Sequence, residues 1–210
     1  MSAPFADHVP MPSGGPDHTS LSGMRRLLAA DFARVLRQTT GGKPTSRLRR
    51  LMHLTLPAMQ VVILHRAAHL LHGRGWRRAA ALVADLSLRL TGASLHPGSR
   101  MGPGLFVPHP ARIAFCGNAG ADLTLLPGTL VGPRDWVLPG QPFPAAVPRL
   151  GDGAVVGAHA AVQGAIAIGA GATVGIGVCS LRDIPAGTVT MLAQRQVRSA
   201  RPEPEAGDAR

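Results

Sequence analysis

Residues 95–136, LHPGSRMGPGLFVPHPARIAFCGNAGADLTLLPGTLVGPRDW, decide how this chain folds. Read in sixes, they begin successively with Leu95, Met101, Val107, Ile113, Ala119, Leu125 and Val131. After an interruption from Val137 to Arg149 the same beat returns as LGDGAV, VGAHAA, VQGAIA, IGAGAT and VGIGVC, led by Leu150, Val156, Val162, Ile168 and Val174. The second place is often glycine, as at Gly102, Gly120, Gly151, Gly157 and Gly175. An apolar residue at every sixth place matches neither the helical period nor strand alternation. It requires a chain that turns a corner every six residues, with one short strand per hexad and three hexads per coil. The expected form is a parallel β-helix with the hexad leaders inside and small residues near the corners.

Composition agrees with narrow coils. The 210 residues include five Phe, two Trp and no Tyr, so the core must be built from small aliphatic side chains. That length suits one ordinary domain, or a small domain attached to a regular one. Arginine outnumbers lysine by twenty-one to one, and the formal net charge is +11. Residues 24–100 concentrate this charge, with fourteen Lys and Arg against Asp31 and Asp85. Such a field attracts anions of many kinds, but no basic run interleaved with aromatics and no Cys/His finger spacing accompanies it, so nucleic acid is not expected. The isolated Cys116 and Cys179 read as free thiols of a reducing compartment. No secretory signal pattern is visible, and the apolar run at 54–64 contains Pro57 and is too short for a bilayer. A cytoplasmic protein without a membrane segment is the expectation.

Upstream of the hexads the pattern is helical. Residues 1–23 are rich in Pro, Gly, Ser and Asp and are expected to form a disordered leader. From Met24, Leu27, Leu28, Phe32, Val35 and Leu36 form one apolar stripe that stops at the glycines of TTGGKP. A second helix is expected from about Ser46, bending at Pro57 and carrying His65, His69 and His72; a third, WRRAAALVADLSLRLTG, closes at Gly92. The histidine spacing puts those rings near one face, but with no carboxylate partner and no fourth ligand no metal is expected. The domain expectation is therefore a helical part at 24–92, a β-helix at 93–191 with a protruding loop at 137–149, and a polar tail at 192–210. Long loops on rigid scaffolds are where sites tend to sit.

The helical segment followed by TGASLHPGSRMGPGLFVPHP resembles the serine O-acetyltransferases of the hexapeptide-repeat acyltransferase family, over about residues 46–190. The resemblance implies an α+β fold in which a helical N-terminal domain precedes a left-handed parallel β-helix. It also implies a homotrimer or a dimer of trimers, with active sites between subunits. The implied reaction is transfer of an acetyl group from acetyl-CoA, or of another acyl group from a thioester, to the hydroxyl of a small-molecule acceptor such as serine.

By the same resemblance His109 stands at the general base. Its surroundings depart from the family pattern: Ser94 and Pro108 replace acidic residues, Arg112 replaces a glycine, Gly117 a glutamate, and Ala146 and Val147 an Arg-His pair. Ser94 is the candidate partner for the imidazole, and Arg112, Arg134 and Arg149 are candidates to hold an anionic group of an altered acceptor. For the donor, a groove floored by Gly157, Ala158 and Gly175 suits a slim thioester arm, with Arg182, Arg195 and Arg198 available to its phosphates. A phosphopantetheine arm on an acyl carrier protein fits the same groove, and the basic helical part would attract an acidic carrier. The tail SARPEPEAGDAR lacks the terminal isoleucine used by some family members for docking into cysteine synthase, so that complex is not expected. A homologue that retains the trimeric scaffold only for binding is the alternative to an enzyme.

Overall fold

The computed structural model describes residues 19–135 and 142–192. Four helices come first: α1 (Leu21–Thr40), α2 (Arg47–Leu54), α3 (Pro57–Gly73) and α4 (Arg77–Thr91). Helix α1 starts three residues before Met24, inside the segment expected to be leader. The Ser20 side chain accepts a hydrogen bond from the Gly23 backbone N–H, and this N-cap fixes the first turn where the apolar stripe has not yet begun. The other ends match their signals. Gly41 and Gly92 close α1 and α4 in the left-handed conformation, Ser46 caps α2, and Pro57 opens α3 after a 64° bend. No single described helix is long and apolar enough to cross a membrane.

Twelve short strands follow, every pairing between them parallel. They stack into three faces. The first holds β1 (Ala93–Leu95), β2 (Ile113–Phe115), β5 (Leu130–Gly132), β8 (Ala161–Gln163) and β11 (Cys179–Ser180). The second holds β3 (Asn118–Ala119), β6 (Arg149–Leu150) and β9 (Ala167–Ile168), extended by bridges at Met101 and Ile184. The third holds β4 (Thr124–Leu125), β7 (Val155–Val156), β10 (Thr173–Val174) and β12 (Val189–Thr190), extended by Phe106. All twelve hexad leaders are at most 2% exposed. Their columns run down the inside of a five-coil β-helix, and the hexad glycines lie where the next coil passes beneath. A Cβ at Gly157, for example, would stand 2.6 Å from the Val174 carbonyl oxygen.

The six-residue count slips between the first two coils, and again after Ser180, where Ile184 pairs with Ile168. Ile113 is buried, yet the residue stacked beneath Leu95 is Phe115, whose own neighbour below is Val131. The chain spends eight positions from Val107 to Phe115 and only four from Phe115 to Ala119, which pairs with Met101. His109 therefore stands on a two-residue bulge at a corner of the first coil. The corner ends at Arg112 with φ 57°, in the same column of left-handed residues as Gly128, His159 and Gly177. An arginine in that conformation is strained by roughly 1–2 kcal/mol.

The helices close the open end of the β-helix. Val61 and Val62 of α3 enter the same apolar core as Leu95, Met101 and Phe115. Beside them Arg66 of α3 donates two hydrogen bonds to Asp31 of α1, at 2.9 and 3.1 Å, and two more to the Met101 and Gly102 carbonyls at 2.6 and 2.7 Å. Asp31 in turn accepts from the Leu105 N–H at 2.7 Å. Both side chains are essentially inaccessible, and neither charge is left without partners. Arg34 makes a second tie, donating to the carbonyls of Gly104 and Leu123 and to Thr124 Oγ1 while pairing with Asp122.

Three measurements check this account. Asp31→Ala leaves Arg66 buried without its counter-ion and the Leu105 N–H without an acceptor, so urea unfolding is expected to show a loss of about 3–5 kcal/mol. Arg112→Gly relieves the left-handed strain while loosening the unfolded chain, so its stability should match the parent or exceed it by up to about 1 kcal/mol. A clear loss would contradict the strain. Burial pushes the Cys116 thiol up to about 11, keeping it protonated at pH 8, whereas Cys179 is exposed. Labelling of the folded protein with a chromogenic disulfide at that pH should therefore modify Cys179 and reach Cys116 only on unfolding.

Candidate active site

The edge between the four-stranded and five-stranded faces carries the candidate base at its helical end. Pro108 and Pro110 flank His109, fixing two φ angles and removing two backbone donors, so the bulge is stiff although the imidazole is exposed. Below it the corners are stitched by backbone hydrogen bonds of 2.9 Å, from Gly128 N–H to Ala111, from His159 N–H to Pro127 and from Gly177 N–H to Ala158. Gly157, Ala158 and Gly175 lie along this same edge, two and three coils beneath His109. The proposed donor floor and the proposed base thus share one side of the molecule. His159 stands on the edge as well, exposed and with φ 57°, its ring seated over Gly128.

Among the described residues no side chain hydrogen-bonds the His109 imidazole. Most of the described carboxylates are engaged elsewhere: Asp31 with Arg66, Asp85 with Arg89 and Asp122 with Arg34. Asp152 accepts from the Ala121 N–H and Asp183 from the Ala167 N–H. Ser94 is half-buried in β1 with Ala114 as its Cα partner, and its hydroxyl does not reach His109 as a hydrogen-bond partner.

The arginines separate by edge. Arg112 is exposed on the His109 corner. Arg134 lies 3.4 Å from the Cβ position of Gly164, and the Arg149 N–H bonds to Ile166, so both flank the Gly164–Ile166 turn. That turn is on the far side of the five-stranded face, where the loop leaves the coil. Arg182 is exposed on the loop's edge too, in the fifth coil. Arg195 and Arg198 lie outside the described residues. From the loop itself, Phe143 folds back over Gly98, where a Cβ would be only 2.8 Å from its ring, and its centroid is 5.3 Å from that of His96. The α3 histidines serve different contacts: His65 is buried, His69 Nδ1 meets the Pro97 carbonyl at 2.7 Å, and His72 lies beside His96 at 6.4 Å. Burial and the nearby Arg77 hold the His72 imidazole below its ordinary pKa.

One feature of the site had no signal in the hexad pattern. Between the helices and the His109 bulge lies a cavity of about 530 Å³, walled by Leu56, Pro57 and Leu90 on the helical side and by Phe106, Pro108 and Pro110 on the other. Thr39, Thr91 and His109 also border it. The only sequence hint was the Pro57 bend, which sets α2 away from α3 and leaves Leu56 at the rim.

No family model matches the chain. The serine acetyltransferase of Synechococcus elongatus is 32% identical over 164 residues, which cover 77% of this chain and 64% of that enzyme's length. The serine acetyltransferase of Helicobacter pylori strain J99 is 30% identical over 169 residues, covering 80% of this chain and 94% of its own. Among solved structures, serine acetyltransferase isoform 3 of Entamoeba histolytica in complex with cysteine superposes with a TM-score of 0.70 at 20% identity, over 85% of this chain and 62% of that one. The Neisseria gonorrhoeae serine acetyltransferase gives 0.69 at 21% identity, over 85% and 67%. The helical region, the left-handed parallel β-helix and a sequence match spanning nearly the whole Helicobacter enzyme place this chain in the serine acetyltransferase family.

Proposed function

We propose that this protein is an acyltransferase that moves an acetyl group from acetyl-CoA, or another acyl group from a thioester, to the hydroxyl of a small acceptor related to serine. The observation that carries this reading is the shared edge, with His109 rigidly presented at its head and Gly157, Ala158 and Gly175 running beneath it. A narrow edge of small residues admits a slim pantetheine arm, and an exposed imidazole at its end is free to meet an acceptor hydroxyl.

In the proposed step the neutral imidazole takes the proton of the acceptor hydroxyl as its oxygen attacks the thioester carbonyl carbon. The tetrahedral intermediate collapses with cleavage of the C–S bond, and the proton passes from the imidazolium to the leaving thiolate. The products are an ester and a free thiol. Because no described carboxylate hydrogen-bonds the His109 imidazole, the acceptor site departs from the family's own pattern. Arg112, on the same corner, is the candidate to hold an anionic group of the acceptor. Arg134 and Arg149 would reach His109 only from a neighbouring copy, which favours a trimer with sites between subunits. Exposed Leu48, Leu51 and Met52 on α2 and Leu82 and Leu86 on α4 favour further pairing of trimers through the helices. An acyl carrier protein is the alternative donor.

Among the described residues no carboxylate orients His109, which supports a second reading, a binding homologue without turnover. Thiol release from acetyl-CoA, followed with serine, homoserine and other hydroxy acceptors and then with acylated carrier protein as donor, separates the two. Turnover that falls about 10²- to 10⁴-fold in His109→Ala is the expected result. Turnover unchanged in that variant would remove His109 from the mechanism, and none with any pair would favour the binding homologue.

A further inference from the structure

We propose that the cavity beside His109 seats an uncharged hydrocarbon portion of a substrate, so that the group transferred or its acceptor is more apolar than the acetyl-serine pair. This rests on the reading of His109 as the base and names the chemistry it faces. The cavity's volume of about 530 Å³ falls within the range of small-molecule sites. Leu56, Leu90 and Phe106 give it apolar walls, and among the described residues no Lys, Arg, Asp or Glu borders it.

The protons of its two described hydroxyls are already committed. Thr91 Oγ1 donates to the Ser87 carbonyl at 2.7 Å and Thr39 Oγ1 to the Val35 carbonyl at 2.8 Å. Both bonds are internal to their helices. Among the described residues, His109 is therefore the one bordering side chain that can still donate a hydrogen bond to a ligand, the two threonine hydroxyls keeping only acceptor lone pairs. A zwitterionic amino acid placed here would lose hydration from a carboxylate and an ammonium with no described charged side chain to replace it, only neutral hydroxyl oxygens and one imidazole. An alkyl chain would lose only unfavourable contact with water, gaining about fourfold in affinity per buried methylene. The same chemistry can arrive as a longer acyl group on the donor or as the side chain of the acceptor.

The test begins with binding, which does not depend on turnover. Histidine ring resonances of the full-length protein are recorded during titration with 1-octanol, His109 being assigned by difference from His109→Asn. The expected result is a saturable shift of the His109 signals that is lost in Leu90→Glu, a substitution at a position 60% exposed and so compatible with folding, which circular dichroism checks. An unmoved His109 up to the solubility limit, whether because a second copy of the chain closes the cavity or because the alcohol binds elsewhere, overturns the proposal. So does a shift that persists in Leu90→Glu. Two turnover series then identify the source: acetyl- to octanoyl-CoA at fixed acceptor, and hydroxy acceptors of increasing alkyl length at fixed donor. Acetyl transfer to serine with an unmoved His109 would leave the acyltransferase reading standing and remove this one. A shifted His109 without turnover would do the reverse.

Discussion

Asp31 and Arg66 join the two halves of this protein through one fully satisfied buried ion pair. Neither residue could be buried alone, because an unpaired charge in such a place costs several kcal/mol. Together they use the guanidinium fork on both a carboxylate and two carbonyls of the first coil, while the carboxylate takes the Leu105 N–H. The open end of a β-helix exposes backbone groups that have no further coil to pair with, and α1 and α3 supply those partners in side-chain form. The position of the helices over the first coil follows from this contact, and so does the cavity they form with the His109 bulge.

The bulge itself is a local departure from a regular solenoid. Two extra residues at one corner are compensated by two fewer at the next, so the columns below continue in register with Val131 and Ala119. In the regular hexads below, the third place lies within a tight turn at this corner, as Pro127 and Ala158 do. The slip lengthens that corner by two residues, and His109 stands exposed on it between two prolines, above an edge of small residues. Strain at Arg112 accompanies that geometry: the column of left-handed residues persists at a position occupied by an arginine.

Membership in the serine acetyltransferase family and the departures around His109 point in complementary directions. In the proposed reading, the fold and the shared edge keep what a thioester donor needs, which is slenderness and backbone. The proposed acceptor side differs chemically, with no described carboxylate bonded to the imidazole and an apolar cavity beside it. Acceptor recognition depends on particular side chains, whereas the donor groove depends mainly on the shape of the coils, so the two sides can diverge independently.

Much of the architecture was legible beforehand because it depends on local chemistry. Inward columns follow from apolar residues at every sixth place, and helix ends follow from Gly41, Ser46, Pro57 and Gly92, each of which acts through its own backbone or cap. The start of α1 was missed because its signal is a single serine ahead of a glycine. The partner of Arg66, the register slip, the edge on which each arginine lies and the cavity were not legible. They arise from contacts between residues remote in the chain, such as Asp31 with Leu105. The sequence alone thus determined the repeating scaffold and the candidate base, since periodic hydrophobicity and family motifs need no knowledge of distant neighbours. Tertiary structure alone decided what surrounds that base, because the helices and the first coil create the site's walls only when they pack together.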